Sequence, residues 1–441
     1  MVQIALHRDG PSLVLAAGLR TPWARAGGAF AKEDAGHLGA HVARELIART
    51  GLDPAEIDEV IAGCVGQPFD QANIGRVIAL RAGVPRHVPA RTVARNCASG
   101  IEAVTTAVAN IRAGIGDTYL CLGVEVMSSY PLVFGPKMTD LFAGLMKAKT
   151  LGQRLALLAS FRPSFLKPRV ALMEGLTDPV SGLIMGSTAE LLARDFGITR
   201  EEADAFALRS HRRAAAAQEN GRLAREILPH LGLGARDGAR ALNRDDSVRA
   251  DQTLEALAKL RPYFEKPDGV VTVGNACGIT DGAAALLVTT EERAAALGLE
   301  PLARLRSFGW SGCDPARMGI GPVSASAKAL DAAGCSLADV GVVELNEAFA
   351  VQVLACQRAF ASIAWAEEHL GRAQPLGELS DEKLNPNGGA IALGHPVGAT
   401  GARLLLTAAH ELNHGDHELA LATLCIGGGQ GGAVVLERMS R

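Results

Sequence analysis

Short apolar runs alternate with longer stretches in which apolar residues recur every three or four positions, in the first and last parts of the chain. A short apolar run bounded by turn residues reads as a buried strand, and the 3.6-residue period reads as a helix packed on it. Strands are therefore expected at 12–15, 59–64 and 118–123, and helices around 37–50, 72–82 and 97–112. The alternation resumes at Val271, with strands at 283–289, 301–309 and 340–344 and helices at 324–333, 351–360 and 398–412. A hairpin of 419–425 with 432–438 closes the chain. Such alternation implies an α/β layer fold with a largely parallel sheet.

Residues 126–270 break this pattern. They are richer in charge, carry scattered prolines and hold one strong helix at 200–221, so they read as an inserted loop domain. The expected organisation is an N-terminal half at 1–125, completed by about 271–297, the loop domain at 126–270, and a C-terminal half at 298–441. The halves share their element order, which suggests two pseudo-repeated α/β units with a site at their joint.

Composition narrows the class. A length of 441 residues with 48% hydrophobic residues can bury a large core. A formal charge of −3 gives no electrostatic basis for nucleic-acid binding. The eight cysteines form no CxxC pair and no zinc spacing, and the first ten residues lack an apolar signal core. Free thiols in a reduced, cytoplasmic setting are the expectation. No apolar run reaches the roughly 20 residues that a spanning helix needs.

The candidate chemistry sits in three small-residue runs. Cys97 lies in Asn96-Cys97-Ala98-Ser99-Gly100, where a loop enters a helix. Unpaired N–H groups at a helix start lower a thiol pKa and favour the nucleophilic thiolate. His395 lies in a glycine-rich turn that also opens a helix, and the Lys-Ser/Thr ending of a phosphate loop is absent. Cys425 precedes Gly427-Gly428-Gly429, a run whose N–H groups can approach a substrate oxygen. Asn346, after the strand at 340–344, offers an amide to hold a water or orient His395. Each has a plainer reading: a buried cysteine, a core histidine, a hairpin turn, a helix cap.

Taken together, these motifs resemble the thiolase family over almost the whole chain. The residues that carry the likeness are Asn96 to Gly100, Gly274 to Ala285, Asn346-Glu347-Ala348-Phe349, Asn387 through Gly401, and Cys425 to Gly429. The resemblance implies a thiolase fold of two α/β halves in an α-β-α-β-α stack, and the activity of an acyl-CoA C-acyltransferase. Cys97 would be acylated, His395 would activate it, and Cys425 would move the proton at the α-carbon. Asn346 with His395 would form one oxyanion hole, and the N–H groups of Cys97 and Gly427 another. Coenzyme A and acetyl-CoA enter as substrates, with no covalently bound cofactor and no metal. Arg249 matches a position on the adenine end of coenzyme A, and Met185 lines the acyl pocket. Ala256 and Cys277 stand where many members carry serine, and Ile184 where many carry histidine.

The segment 137–169 holds eight charged groups, seven of them positive, among Leu, Phe and Met. It reads as a basic amphipathic helix suited to a lid, a partner subunit or a membrane surface. It resembles the β-subunit of trifunctional fatty-acid oxidation complexes, which implies a hydratase/dehydrogenase α-subunit as partner. That branch has histidine where this chain has Asn346. A homodimer or larger assembly is the family expectation. Three rivals stay open: an acetoacetyl-CoA-specific acetyl-CoA acetyltransferase, a decarboxylating ketosynthase, and a non-catalytic lipid- or CoA-binding relative. The second thiol argues against the ketosynthase, and the complete reactive set against the non-catalytic relative.

Overall fold

The computed structural model describes residues 2–6, 10–233 and 240–439. Strands in chain order are β1 (Val2–Ala5), β2 (Leu13–Arg20), β3 (Ala24–Arg25), β4 (Glu59–Gly63), β5 (Ala90–Val93) and β6 (Thr118–Val126). There follow β7 (Leu132–Phe134), β8 (Pro168–Val170), β9 (Thr280–Thr290), β10 (Ala303–Gly312), β11 (Val342–Leu345), β12 (Leu419–Ile426) and β13 (Gln430–Glu437). The main sheet has 11 strands in the path β11-β12-β13-β10-β2-β9-β6-β4-β5, with β1 on β10 and β3 on β9. Only a short pairing, Ala303 with Leu15 and Arg304 with Val14, joins its two halves.

The sheet is mixed rather than largely parallel. β4–β5, β4–β6 and β11–β12 are parallel, whereas β6–β9, β2–β9, β10–β13 and β12–β13 are antiparallel. The cause is β9, which returns after the long insertion and enters the N-terminal half between β2 and β6. Every residue of β6, β9 and β12 is buried. Both faces are covered, so the apolar run is continuous and carries no sign of strand direction.

Two helices fill the space between the halves, Ser99–Arg112 and Val397–His414. The second is buried around nearly its whole circumference, as a helix in a central layer must be. Val104, Leu286, Leu405, Leu424 and Val434 share one core there, drawn from both halves. The Ala35–Thr50 helix packs on the outer face of one half, and Gly321–Ala333 with Ala350–Ala361 on that of the other. The result is a layered α-β-α-β-α stack.

The central helices approach backbone to backbone. A Cβ on Gly100 would lie 2.4 Å from Ala402 N, and one on Gly401 2.7 Å from Ile101 N. A Cβ on Gly63 would meet Ser99 O at 2.2 Å. These are contacts that only a missing side chain permits.

The segment 137–169 is not one helix. Helices Pro136–Lys147 and Leu151–Ala159 are separated at 148–150, and a 3-10 turn leads into β8, which pairs with β7. Thr150 and Gln153 form a capping box that restarts the chain as a new helix. Phe142, Met146, Leu151, Leu155 and Leu158 are exposed along it.

Replacing Gly63 by Ala forces β4 and the start of the Ser99–Arg112 helix apart. A loss of about 1–3 kcal/mol is expected, read as a lower urea midpoint, together with slower alkylation of Cys97. A wild-type midpoint would show that the contact is not tight.

Candidate active site

Cys97 sits in a turn strained at Asn96, whose φ of 44° lies in the left-handed region. The turn is fixed from several sides. Ser99 Oγ accepts from Arg95 N at 2.9 Å and donates to Asn96 O at 2.7 Å. Asn96 Nδ2 donates to Gly427 O at 2.7 Å, which ties the thiol loop to the β12–β13 turn. Arg95 bonds Glu102 and Gln430 and lies over the Trp310 ring, spanning the same two halves.

The thiol itself is half-buried. Burial pushes its pKa up, and the N–H groups of Gly427 and Cys97 only partly offset this. The helix start therefore does not produce a resting thiolate, as the sequence had suggested. Desolvation outweighs the N–H groups. Those same two N–H groups converge on the sulfur from the glycine run and from the nucleophile's own backbone.

His395 comes from the facing helix. It is buried, its N–H donates to Gly278 O at 3.1 Å, and its pKa falls to about 3 through burial and the Arg403 charge. Gly394 before it has φ 103°, and a Cβ there would lie 2.3 Å from Thr280 Cγ2. Thr400 Oγ1 donates to Pro396 O at 3.0 Å and lies 2.6 Å from His395 Nδ1. Its hydroxyl proton is thus committed, so it accepts from Nδ1–H. That fixes the tautomer and leaves the Nε2 lone pair as an acceptor, with the buried Asn346 Nδ2 donating to it at 3.5 Å.

Asn346 stands just past β11, with its N–H on Thr423 O at 3.0 Å. Cys425 is the second-last residue of β12, fully buried, opposite Gly431. Its pKa is pushed well up, by burial and by the neighbouring thiols of Cys97, Cys356 and Cys277. Cys277 is held up to about 12, again by burial and by Cys97. The structure thus brings Cys97, Cys277 and Cys425 into one neighbourhood, with His395 beside Asn346.

Two buried carboxylates brace these groups, Glu125, which carries no sequence signal of its own, and Glu347. Buried Glu125 accepts from the N–H groups of Val65 (3.0 Å), Gly66 (2.9 Å) and Gly398 (3.0 Å) and from Tyr130 OH (2.9 Å). It clamps the start of the His395 helix to the N-terminal half. Glu347 accepts from Ser210 Oγ at 2.6 Å, Asn385 Nδ2 at 2.9 Å and Ile391 N at 3.2 Å, and so braces the histidine turn.

Two cavities reach the site. One of about 720 Å³ is lined by Cys97, Gly427 and Gly428 with Tyr130, Leu172 and Leu176. The other, about 560 Å³, reaches His395 and Cys277 past Ile184, His211, Ser247, Arg249 and Phe264. Met185 and Val397 line both. Arg249 is exposed at the second mouth, where its N–H donates to His211 Nδ1 at 3.2 Å. Ala256 does not fit its expected place. It is exposed on the Leu254–Ala258 helix and lines neither cavity, because that helix turns its buried face, Leu257, inward.

A thiol on one cavity, a neutral imidazole on the adjoining one, a second buried thiol and convergent N–H groups are parts that covalent acyl transfer requires. Residues 13–292 match the thiolase N-terminal domain and 299–438 the thiolase C-terminal domain. A 3-ketoacyl-CoA thiolase of Escherichia coli O1:K1 / APEC is 44% identical over 430 residues, 97% of this chain and 99% of that one. That of Pectobacterium carotovorum subsp. carotovorum is 41% identical over 433 residues, 98% of each chain. Human mitochondrial 3-ketoacyl-CoA thiolase in complex with CoA superposes with a TM-score of 0.84 at 34% identity, covering 99% of this chain and 100% of that one. Bacillus anthracis acetyl-CoA acetyltransferase gives 0.84 at 37%, covering 97% and 99%. The chain belongs to the thiolase family.

With His395 neutral and the Cys97 thiol raised, the rate of Cys97 alkylation should climb steadily from pH 6 past pH 9. A plateau at neutral pH would mean a resting thiolate–imidazolium pair. Thr400→Val removes the acceptor of Nδ1–H and should slow turnover on the order of tenfold, measured as kcat with KM little changed.

Proposed function

We propose that this chain is a 3-ketoacyl-CoA thiolase of fatty-acid β-oxidation, an acetyl-CoA C-acyltransferase working through an acyl-cysteine. The observation that carries the reading is that Cys97 and His395 line two cavities that share Met185 and Val397, with the buried Cys425 thiol close to that of Cys97. Cys97 Sγ attacks the 3-keto carbon, and its proton passes to His395 Nε2. The oxyanion is held by the N–H groups of Cys97 and Gly427. The C2–C3 bond then breaks, leaving its electron pair on the acetyl-CoA enolate. His395 Nε2–H and Asn346 hold the enolate oxygen, and Cys425 S–H protonates C2. Coenzyme A thiol next attacks the acyl-Cys97 thioester, giving its proton to the Cys425 thiolate; the C–S bond to Cys97 breaks, His395 Nε2–H returns its proton to the Cys97 thiolate, and the shortened acyl-CoA leaves.

The second thiol suits the carbon acid. Buried and raised, it holds its proton until an enolate forms beside it. The larger cavity, lined by Leu172, Leu176 and Met185, takes the acyl chain, and the one at Arg249 takes the coenzyme A arm. Cys277 and Ile184 give that arm a less polar wall. On this reading residues 126–270 form the substrate-facing domain between the halves.

The exposed apolar residues of 136–159, and Met185-Gly186 without a preceding histidine, support a place beside the β-subunits of trifunctional complexes, although Asn346 departs from them. A homodimer, cytoplasmic and docked to a hydratase/dehydrogenase α-subunit, is the assembly we infer. The reading of 137–169 as a membrane contact predicts sedimentation with anionic liposomes at low salt, and no binding there removes it.

Cys425→Ala separates the two halves of the reaction. Acetyl transfer from acetyl-CoA to Cys97 should slow but still proceed in this variant, because coenzyme A can leave as a thiolate, while thiolysis of a 3-ketoacyl-CoA, which needs a proton on carbon, falls about 10²-fold or more. Thiolysis at the wild-type rate would assign the proton transfer elsewhere. Activity confined to acetoacetyl-CoA would favour the acetyltransferase reading.

A further inference from the structure

A second cluster of chemistry-bearing side chains lies apart from the thiols, where the Ala35–Thr50 helix meets the segment 228–233. Glu33 precedes that helix, His37 lies in its first turn, and His230 faces them across the joint. His37 Nδ1 stands 2.7 Å from Glu33 Oε1, and His230 Nε2 stands 3.3 Å from the same oxygen. One donor atom from each of the three residues falls within 4.8 Å of the others.

The anchors are rigid. His37 N–H is capped by Asp34 Oδ1 at 3.0 Å. His230 exchanges two backbone hydrogen bonds with Leu242, at 3.0 and 2.9 Å, and its ring meets the Phe30 edge at 5.2 Å. Glu33 Oε2 accepts from Leu233 N at 2.6 Å, which turns Oε1 toward the imidazoles. Burial pushes the Glu33 carboxyl up, yet the hydrogen bonds from His230, His37 and Leu233 hold it below its usual range. It is therefore an anion in a nearly closed site, with two imidazole nitrogens aimed at one oxygen. One turn further, His41 donates to the Pro229 carbonyl, and its Nε2 is buried without a partner. Its ring centroid lies 4.4 Å from that of His230.

We propose that Glu33, His37 and His230 bind one divalent transition-metal ion of the zinc type, fastening the Ala35–Thr50 helix to the segment 228–233. Two imidazoles and one carboxylate are a donor set that zinc takes at about 2.0–2.2 Å per ligand; the donor atoms lie within 4.8 Å of one another, and an ion would replace the 2.7 Å His37–Glu33 hydrogen bond, its ligands moving slightly apart. His37 is partly exposed and gives the entry path. Magnesium and calcium, which prefer oxygen ligands, are disfavoured. The half-buried and buried thiols offer a competing soft site, so the test must tell nitrogen from sulfur.

Cobalt(II) titration of the full-length, metal-free protein makes that distinction, because thiolate ligation adds a sulfur charge-transfer band and imidazole ligation does not. One equivalent should bind without that band, zinc should displace it, and the thermal midpoint should rise with metal. His37→Ala, at a partly exposed position, and Glu33→Gln should each weaken binding about tenfold or more. Binding only with the sulfur band, no binding, or equal affinity in both variants would overturn the site and leave a hydrogen-bonded histidine–carboxylate cluster. None of these outcomes bears on Cys97.

Discussion

The close contact of the Ser99–Arg112 and Val397–His414 helices is the constraint on which the site depends. A thiol or an imidazole stands in the turn just before each helix, Cys97 before one and His395 before the other, and each helix carries glycine where the other's backbone arrives. A methyl group at Gly100 or Gly401 would separate two functional groups that come from opposite ends of the chain. The sheets on either side serve this contact. β4 and β6 press on one helix, β11 and β12 present Asn346 and Cys425 to the other, and the buried strands leave little freedom to shift. Packed interiors respond to such insertions by moving backbone, at a cost comparable with a good part of the stability margin.

Burial then sets the chemistry. In water a helix start favours a thiolate, but here the thiol and imidazole are both desolvated, and neutrality is the cheaper state for both. On the proposed mechanism the N–H groups of Cys97 and Gly427 answer the charge that arises on substrate oxygen rather than a charge stored on sulfur. This is electrostatic stabilisation reserved for the reacting state. Thr400 does for His395 what the glycine run does for Cys97. It commits one ring nitrogen and leaves the other available.

Much of this was legible in the chain. Cys97, His395, Asn346, Cys425 and Gly427 each stand in a local run of small residues, and such runs mark places where backbone or substrate comes close. The strand–helix alternation located nearly every core element to within a few residues. Strand direction was not legible, because β9 is buried on both faces and reads alike in either sense. Glu125 was silent because its partners include Gly398, 273 positions away, and the role of Thr400 was silent because only the folded turn brings its hydroxyl onto His395 Nδ1. The resting state of Cys97 was misjudged for a related reason: a helix start is visible locally, while desolvation is made by distant residues. The break at 148–150 was legible in principle, in the Thr150–Gln153 capping box. The Glu33, His37 and His230 cluster needed the fold, because nearly 200 positions separate its members.

The central claim is that one seam between the halves makes Cys97 the acyl carrier. Intact mass recorded after brief mixing with a 3-ketoacyl-CoA, followed by peptide mapping, tests it most directly. The expected result is a shift equal to the shortened acyl group, mapped to Cys97, discharged by coenzyme A and absent in Cys97→Ala. Acylation at Cys277 or Cys425 in the wild-type protein, or turnover persisting in Cys97→Ala, would contradict it.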